Sequence, residues 1–266
     1  MEVDISPEKS IEQNAVVYFE KAKKAKKKLS GLKKAIVDTR KKILEMEKSA
    51  VIAKAPARKR KRQWFEAFHW FVSSNGFLVI AGKDAKTNEI IVKKHLGKGD
   101  MFLHADVHGG SACVVKSNGS EIPLQTLQEA AVSAGVFSRA WKQGIAGVDV
   151  YAVSNEQVSK HAMAGESLGK GAFMVYGERK WFRDTKLEFF IGIKKENSGY
   201  VVISGPESAV KKNVVFAVEI VQGKETSDKT ARTVLSLFEK KLGMQSPVLL
   251  EEIVSMLPGN GTSARV

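Results

Sequence analysis

The sequence predicts an α+β protein, with an N-terminal coiled-coil helix followed by a mixed, mainly antiparallel β-sheet domain with packed helices. Three observations support this fold class. Apolar residues recur with a four-three spacing up to Met46, strand-like runs begin after Trp64, and these runs mostly follow one another without an intervening helix. The 266 residues are enough for one sizeable domain with an appendage, or for two small domains.

The first segment, residues 1–48, is predicted to be a coiled-coil helix. Side chains that fit a heptad seam recur at Ile11, Ala15, Tyr18, Ala22, Ala25, Leu29, Leu32, Ile36, Thr39, Ile43 and Met46. A seam this narrow is typical of a helix that packs on a partner helix. A solvated surface helix that packs on its own domain is the alternative.

A basic linker, residues 49–63, follows the helix and contains the run RKRKR. Residues 1–62 contain 19 Lys and Arg against 8 Asp and Glu, so this arm carries +11 of the net charge of +14. The arm predicts a polyanionic partner, and nucleic acid fits better than an acidic membrane because large apolar residues are few. Arg58, Arg60 and Arg62 are therefore candidate RNA contacts, although the run also fits a localisation signal or a solvated spacer.

Residues 64–195 are predicted to form an α+β domain that opens on a β-hairpin. Asn75-Gly76 lies between two apolar runs, which is a strong hairpin signal. Strands are expected at 68–72, 77–81, 89–94, 101–104, 112–116, 148–153, 172–176 and 187–193, with one helix from 123 to about 141. The remaining residues, 196–266, are predicted to be an α/β extension. Its expected strands are 200–204 and 214–221, and its expected helices are 226–242 and 248–256.

The composition argues against several classes of protein. No apolar run approaches the roughly 18 residues that a membrane span needs, and the first thirty residues contain no signal-peptide core. Cys113 is the only cysteine, which excludes an internal disulfide and a cysteine-built zinc site. We therefore expect a cytoplasmic protein without a membrane partner.

The central motif, MFLHADVHGGSACVVK at 101–116, places His104, Asp106 and His108 two residues apart. In an extended strand, residues with this spacing share one face. Three interpretations are open. The three side chains could hold a metal with His95 or His161 as a fourth ligand, they could flank a phosphate-facing loop, or they could decorate a tight turn that ends a strand.

The phosphate-facing interpretation explains more of the surrounding residues. Gly109-Gly110 lets backbone N–H groups approach an anion, and Lys93 and Lys94 lie on a neighbouring predicted strand. A second stretch, residues 158–180, combines glycines with spaced cations and with Phe173 and Tyr176, which suits RNA phosphates and stacked bases. The candidate cations of this stretch are Lys160, Lys170, Arg179 and Lys180.

Long stretches of the chain resemble a known family. The segments FEAFHWFVSSNGFLVIAGKDAKTNEIIVKKHLGKGDMFLHADVHGGSACVVK and VSKHAMAGESLGKGAFMVYGERK resemble the RNA-binding domain of the NFACT family, the RqcH- and NEMF-like ribosome-associated quality-control factors. SIEQNAVVYFEKAKKAKKKLSGLKKAI resembles the start of the family's coiled-coil segment. The likeness spans roughly residues 8–193 and is greatest to the C-terminal half of archaeal members. Asp106-Val107-His108-Gly109 resembles the family's Asp-Leu-His-Gly signature.

The resemblance implies binding, with no enzymatic activity, no cofactor and no obligatory metal. Its implied partner is the large ribosomal subunit that carries stalled peptidyl-tRNA, through rRNA, tRNA or both. The family's N-terminal half has no counterpart in this sequence, so we expect a separate N-terminal NFACT polypeptide or another helix on the coiled-coil seam. The alternative function is a metal-dependent hydrolase or nuclease that uses the His104, Asp106 and His108 face.

Overall fold

A computed structural model describes residues 4–52, 63–160, 169, 171–196 and 199–265. The chain divides into two compact units, Met1–Pro56 and Ala57–Val266. No helix within the described ranges is both long enough and apolar enough to cross a membrane.

The described residues of the first unit contain one long helix, α1, which spans Ile11–Ile52. Ser10 begins it with reciprocal hydrogen bonds, because the Gln13 N–H donates to Ser10 Oγ while the Ser10 N–H donates to Gln13 Oε1. The predicted N-terminal helix is confirmed, whereas its coiled-coil pairing and its bounds of 1–48 stay predictions. Large seam residues such as Leu29 and Ile36 are more than half exposed, so this face has apolar surface to bury.

The second unit begins with a six-stranded sheet in which all neighbouring strands are antiparallel. Its strands are β1 (His69–Val72), β2 (Leu78–Ala81), β3 (Met101–Ala105), β4 (Cys113–Val115), β5 (Gly147–Ser154) and β8 (Lys180–Lys186), in the order β1-β2-β4-β3-β5-β8. A small separate pair consists of β6 (Val158–Ser159) and β7 (Met174–Val175).

Three helices accompany this sheet: α2 (Ala85–Ile90), α3 (Leu124–Val136) and α4 (Arg139–Lys142). Side chains of β3 alternate between its two faces. Leu103 and Ala105 belong to the core that α3 covers, whereas Phe102 belongs to the core on the opposite face with Tyr151. The same alternation puts His104 on the Phe102 side, away from α3.

A second, four-stranded antiparallel sheet follows in the same unit. Its strands are β9 (Phe189–Glu196), β10 (Gly199–Gly205), β11 (Phe216–Glu225) and β12 (Thr262–Arg265), in the order β10-β9-β11-β12. The helices α5 (Glu207–Lys211), α6 (Ser227–Leu242) and α7 (Leu250–Met256) complete it, with Phe189, Phe238 and Ile253 fully buried in its core. The α+β class is confirmed. The division at residues 195 and 196 stays a prediction, and β9 lies across it.

Two predicted elements differ from the structure. Residues 89–94 were expected as a strand, but they lie in α2 and in a π-helical turn at Ile91–His95. The cause is Asp84, whose carboxylate accepts from the Thr87 N–H at 2.7 Å and so starts a helix. The helix expected up to Trp141 is broken at Ser138, which accepts from the Ala140 N–H and starts α4. The strands β6, β8 and β12 and the helix α5 were not predicted.

Candidate functional site

The central motif lines a cleft of about 540 Å³ at the end of β3. The loop after β3, the start of α2, the first residue of α4 and residues 171–175 converge there. Gly171 makes this convergence close: its φ is +78°, and a Cβ on it would lie 2.8 Å from Ala85 Cα. The two polar stretches singled out in the sequence therefore meet across one cleft. Its polar and aromatic lining includes Asn88, Phe102, His104, His108, Arg139, Tyr151 and Phe173.

The extended backbone of β3 ends inside the central motif, between His104 and Asp106. β3 ends at Ala105, and the Val107 N–H donates back to the Ala105 carbonyl at 2.8 Å, so the backbone turns. His104 is half-buried on the strand, whereas Asp106 and His108 are exposed in the turn. The prediction that the three side chains share one strand face is therefore wrong, because the two-residue period ends with the strand.

The glycine pair allows two side chains to approach the turn. Gly109 has a φ of +82°, and a Cβ on it would lie 2.7 Å from Nε of Arg139. A Cβ on Gly110 would lie 2.8 Å from Nε2 of His104. A larger residue at either position would displace the Arg139 or the His104 side chain, and a β-branched residue at 109 would also be strained.

Arg139 is the main cation of the cleft that the sequence reasoning missed. It is exposed at the first position of α4, and no carboxylate in the described part of the chain lies within 4.0 Å of its guanidinium. A cation at the first helical position is unfavourable near the positive end of the helix dipole. This position shows only in the structure, because the sequence predicts one helix up to about Trp141, with Arg139 in its last turn, where a cation is favourable.

Burial favours the neutral form of the His104 imidazole. Its burial lowers the pKa of the imidazole below the usual range, and the charge of Arg179 adds to this. Hydrogen bonds with the backbone of Ala105 and Gly110 oppose the shift, as does the charge of Asp106. The ring lies 6.3 Å from Phe102 and 5.9 Å from Tyr151, measured between centroids. His104 therefore contributes an aromatic surface to the lining of the cleft.

Asn88 holds the far side of the glycine turn in place. Its Oδ1 accepts from the Ala112 N–H at 3.0 Å, and its Nδ2 donates to the Gly110 carbonyl at 3.4 Å. Ser111 adds a hydroxyl hydrogen bond to the Gly82 carbonyl at 2.7 Å. These contacts fix the backbone of the turn before any ligand binds, which reduces the ordering entropy on binding.

Glu89 joins two of the predicted cations. Its Oε1 lies 2.7 Å from Nζ of Lys93 and 2.9 Å from Nζ of Lys160. Hydrogen bonds from these two ammonium groups lower the pKa of Glu89 to about 2. Lys160 also lies 5.4 Å from the centre of the Phe173 ring. Glu89, Lys93 and Lys160 together carry a net charge of +1 beside the cleft.

An arginine–aromatic ladder, made of Tyr151, Arg179, Trp181 and Arg183, extends from the cleft along β8. The Arg179 guanidinium lies 4.5 Å from the centre of the Tyr151 ring, and the Arg183 guanidinium lies 4.1 Å from that of Trp181. Arg183 also pairs with Asp149 at 2.5 Å. Arg179 was predicted as a site residue, whereas Trp181 and Arg183 were missed because β8 was not expected to be a strand.

The other predicted site residues are distributed as follows. Lys94 is exposed on the π-helical turn and Lys180 is exposed at the start of β8. Lys170, Arg58, Arg60 and Arg62 lie outside the described residues, as does His161. Within the described ranges, no group of three or more His, Cys, Asp or Glu side chains is arranged to hold a metal ion. The alternative hydrolase therefore lacks its ligand set in the part of the chain that the structure describes.

Comparison with known proteins identifies the family. A family model described as the NFACT protein RNA binding domain matches residues 67–177. The archaeal Rqc2 homolog aRqcH of Methanocaldococcus jannaschii is 39% identical over 215 residues, which cover 81% of this chain and 31% of that protein. The chain belongs to the NFACT family. The matched domain contains the glycine turn and Arg139, but it ends before Arg179 and β8.

Other relatives of this NFACT chain extend to eukaryotes. The human ribosome quality control complex subunit NEMF is 39% identical over 173 residues, which cover 63% of this chain and 16% of that protein. The chain therefore spans about a third or less of these relatives. The C-terminal structure of the fibronectin/fibrinogen-binding protein from Streptococcus suis matches with a TM-score of 0.39 and 21% identity, covering 67% of this chain and 77% of that one.

Proposed function

We propose that this NFACT chain is the RNA- and ribosome-binding module of a ribosome-associated quality-control factor, and that it binds without catalysing a reaction. Its target is the large ribosomal subunit that carries stalled peptidyl-tRNA. The observation that carries the proposal is the coincidence of the matched RNA-binding domain, residues 67–177, with a cleft where cations and aromatic rings meet. The name of the human relative, a ribosome quality control complex subunit, supplies the ribosomal context.

The cleft provides the chemistry that RNA binding requires. Arg139 and Arg179 have no carboxylate within 4.0 Å among the described residues, so their charges are available to phosphate oxygens. His108 is exposed beside the glycine turn and can donate a hydrogen bond. In the basic linker, Arg58 and its neighbours add phosphate contacts that do not depend on sequence.

The exposed heptad seam of α1 supports the further proposal that a partner helix binds there. Its apolar side chains repeat at heptad spacing and are not covered within the described unit. A separate N-terminal NFACT polypeptide, or another helix of the same factor, supplies the partner helix. In this arrangement α1 connects the RNA-binding module to the rest of the factor.

Cosedimentation of the full chain with purified large ribosomal subunits tests the ribosomal target. We expect it to pellet at lower protein concentration with subunits that carry peptidyl-tRNA than with vacant subunits. Arg139→Gln combined with Arg179→Gln should weaken pelleting, since two charges available to phosphate are lost. The matched control is Arg232→Gln, an exposed arginine on α6 of the second sheet. Equal binding to both kinds of subunit would contradict the proposed target.

His108→Ala tests the motif turn itself. Loss of a hydrogen bond to a charged phosphate should weaken RNA binding by about 1–2 kcal/mol, as measured by fluorescence anisotropy with labelled RNA. Because the side chain is exposed, unfolding in urea should change by no more than about 0.5 kcal/mol. Ser120→Ala, in the exposed loop between β4 and α3, serves as the control. A stability loss with unchanged RNA affinity would assign His108 a structural role.

A further inference from the structure

We propose that the site selects unpaired RNA: the cleft takes one unstacked nucleotide, and the arginine–aromatic ladder stacks the bases that follow it. This inference rests on the proposed RNA-binding function and specifies its ligand as single-stranded RNA. It makes a prediction about RNA secondary structure that RNA binding alone does not make.

The size and the lining of the cleft suit one unstacked nucleotide. An open cleft of about 540 Å³ is lined by aromatic rings, the glycine turn and the start of α2, and this volume is within the range of roughly 300–1,000 Å³ typical of small-molecule sites. Tyr151 and Phe173 come from different segments and both contribute to the lining. Phe173, which is partly exposed, offers ring surface to an inserted base, whereas a base stacked inside a duplex cannot reach it.

The positions of two arginines indicate where the phosphates on either side of this nucleotide bind. Arg139 approaches the turn at Gly109, where a Cβ would already contact its Nε, so the guanidinium lies at the rim beside exposed backbone. Arg179 lies over Tyr151, between the cleft and β8. Both are placed to bind phosphates on either side of a nucleotide whose base enters the cleft.

The arginine–aromatic ladder provides a path for the RNA strand beyond the cleft. Tyr151 lines the cleft and forms the buried end of the ladder, covered by Arg179, and its ring centre lies 5.5 Å from that of Trp181 in an edge-to-face arrangement. Beyond Trp181, the Arg183 guanidinium presents a second planar surface, oriented by Asp149. Stacking on aromatic rings and guanidinium planes is the common mode of single-strand recognition, because every base has a face to stack.

Protection of a sheet edge is the competing explanation of the ladder. β8 is an edge strand, and charged residues there prevent pairing with other chains. Edge protection accounts for charges on β8, but it requires neither the ring beneath each guanidinium nor a continuous path from the cleft. The aromatic partners therefore favour a binding surface.

Fluorescence anisotropy with the full chain and two labelled RNAs tests this inference. One RNA is a short unstructured oligonucleotide, and the other is a hairpin of the same length and composition. We expect the unstructured RNA to bind at least about fivefold more tightly, the lower end of what base stacking contributes. An oligonucleotide with consecutive abasic sites should lose most of that advantage.

Two variants assign the preference to the site. Trp181→Leu and Arg139→Gln should each reduce the preference for unstructured RNA, whereas Arg232→Gln should leave it unchanged. Near-ultraviolet circular dichroism of each variant checks that the fold is retained. Equal affinity for hairpin and unstructured RNA would overturn the inference while leaving the proposed function intact. Failure to bind either RNA would reject the proposed function itself.

Discussion

Replacement of Asp100 by alanine should destabilise the second unit by about 2–4 kcal/mol, because it leaves a partly buried ammonium group without its counter-ion. The Asp100 side chain is 3% exposed and forms an ion pair with Lys116, which is 19% exposed. Its carboxylate also accepts from the N–H groups of Gly97 at 2.8 Å and Ser117 at 2.9 Å. One side chain therefore ties the start of β3 to the end of β4 and to the preceding turn.

Urea unfolding followed by tryptophan fluorescence measures this loss in the full chain. All four tryptophans lie between Trp64 and Trp181, so the signal reports on the second unit and not on α1. Lys116→Met in the Asp100→Ala background should recover part of the loss, since no unpaired charge then remains. Asp106→Ala is the matched control, because that aspartate is exposed and should change stability by less than about 0.5 kcal/mol. A loss of that small size for Asp100→Ala would show that the ion pair does not hold the strands together.

The sheet elements could be predicted from the sequence where local signals and tertiary packing agree. Apolar runs on either side of Asn75-Gly76 gave the β1–β2 hairpin, and Gly76 adopts a φ of +89° in the turn. The runs that became β3, β4 and β5 are buried, so their apolar character directly reflects their place in the core. The first turn of α2 was missed because its decisive signal is a single cap, Asp84 with Thr87, ahead of a run that also fits a strand.

The candidate site could be predicted only in part, for a similar reason. The glycine turn and His108 stand out because their residue types are unusual at that spacing. Arg139 is 30 residues from Gly109 along the chain, and only the packing of α4 brings its guanidinium to the turn. Trp181 and Arg183 lie on an edge strand whose outer positions are charged, which weakens the apolar alternation that identifies strands. Contacts made by tertiary packing leave little trace in the local sequence.

His69 should make the second unit sensitive to acid. Its Nδ1 is shielded from solvent without a hydrogen-bond partner, and the ring stacks on Phe137 at 3.8 Å between centroids. Burial, helped by the charge of Lys83, lowers the pKa of His69 from 6.5 to about 3. Below pH 6.5 the unfolded chain takes up a proton that the folded chain excludes, so stability falls as the pH approaches 3. We expect a loss of about 3 kcal/mol between roughly pH 7.5 and pH 4.

His69→Phe isolates this contribution, because phenylalanine keeps the stacked ring and removes both the titration and the unpaired nitrogen. Urea unfolding of the full chain at successive pH values should give a flatter stability curve for the variant, with the two proteins closest above pH 7. Burial also lowers the pKa values of His95 and His104, so some slope should remain. Glu89, whose pKa is lowered to about 2, adds its own loss only as the pH falls below its ordinary value of 4.5. The interval between about pH 5 and pH 6.5 therefore separates the histidines from the carboxylates. Parallel curves for the two proteins across that interval would show that His69 is protonated in the folded chain as readily as in the unfolded one.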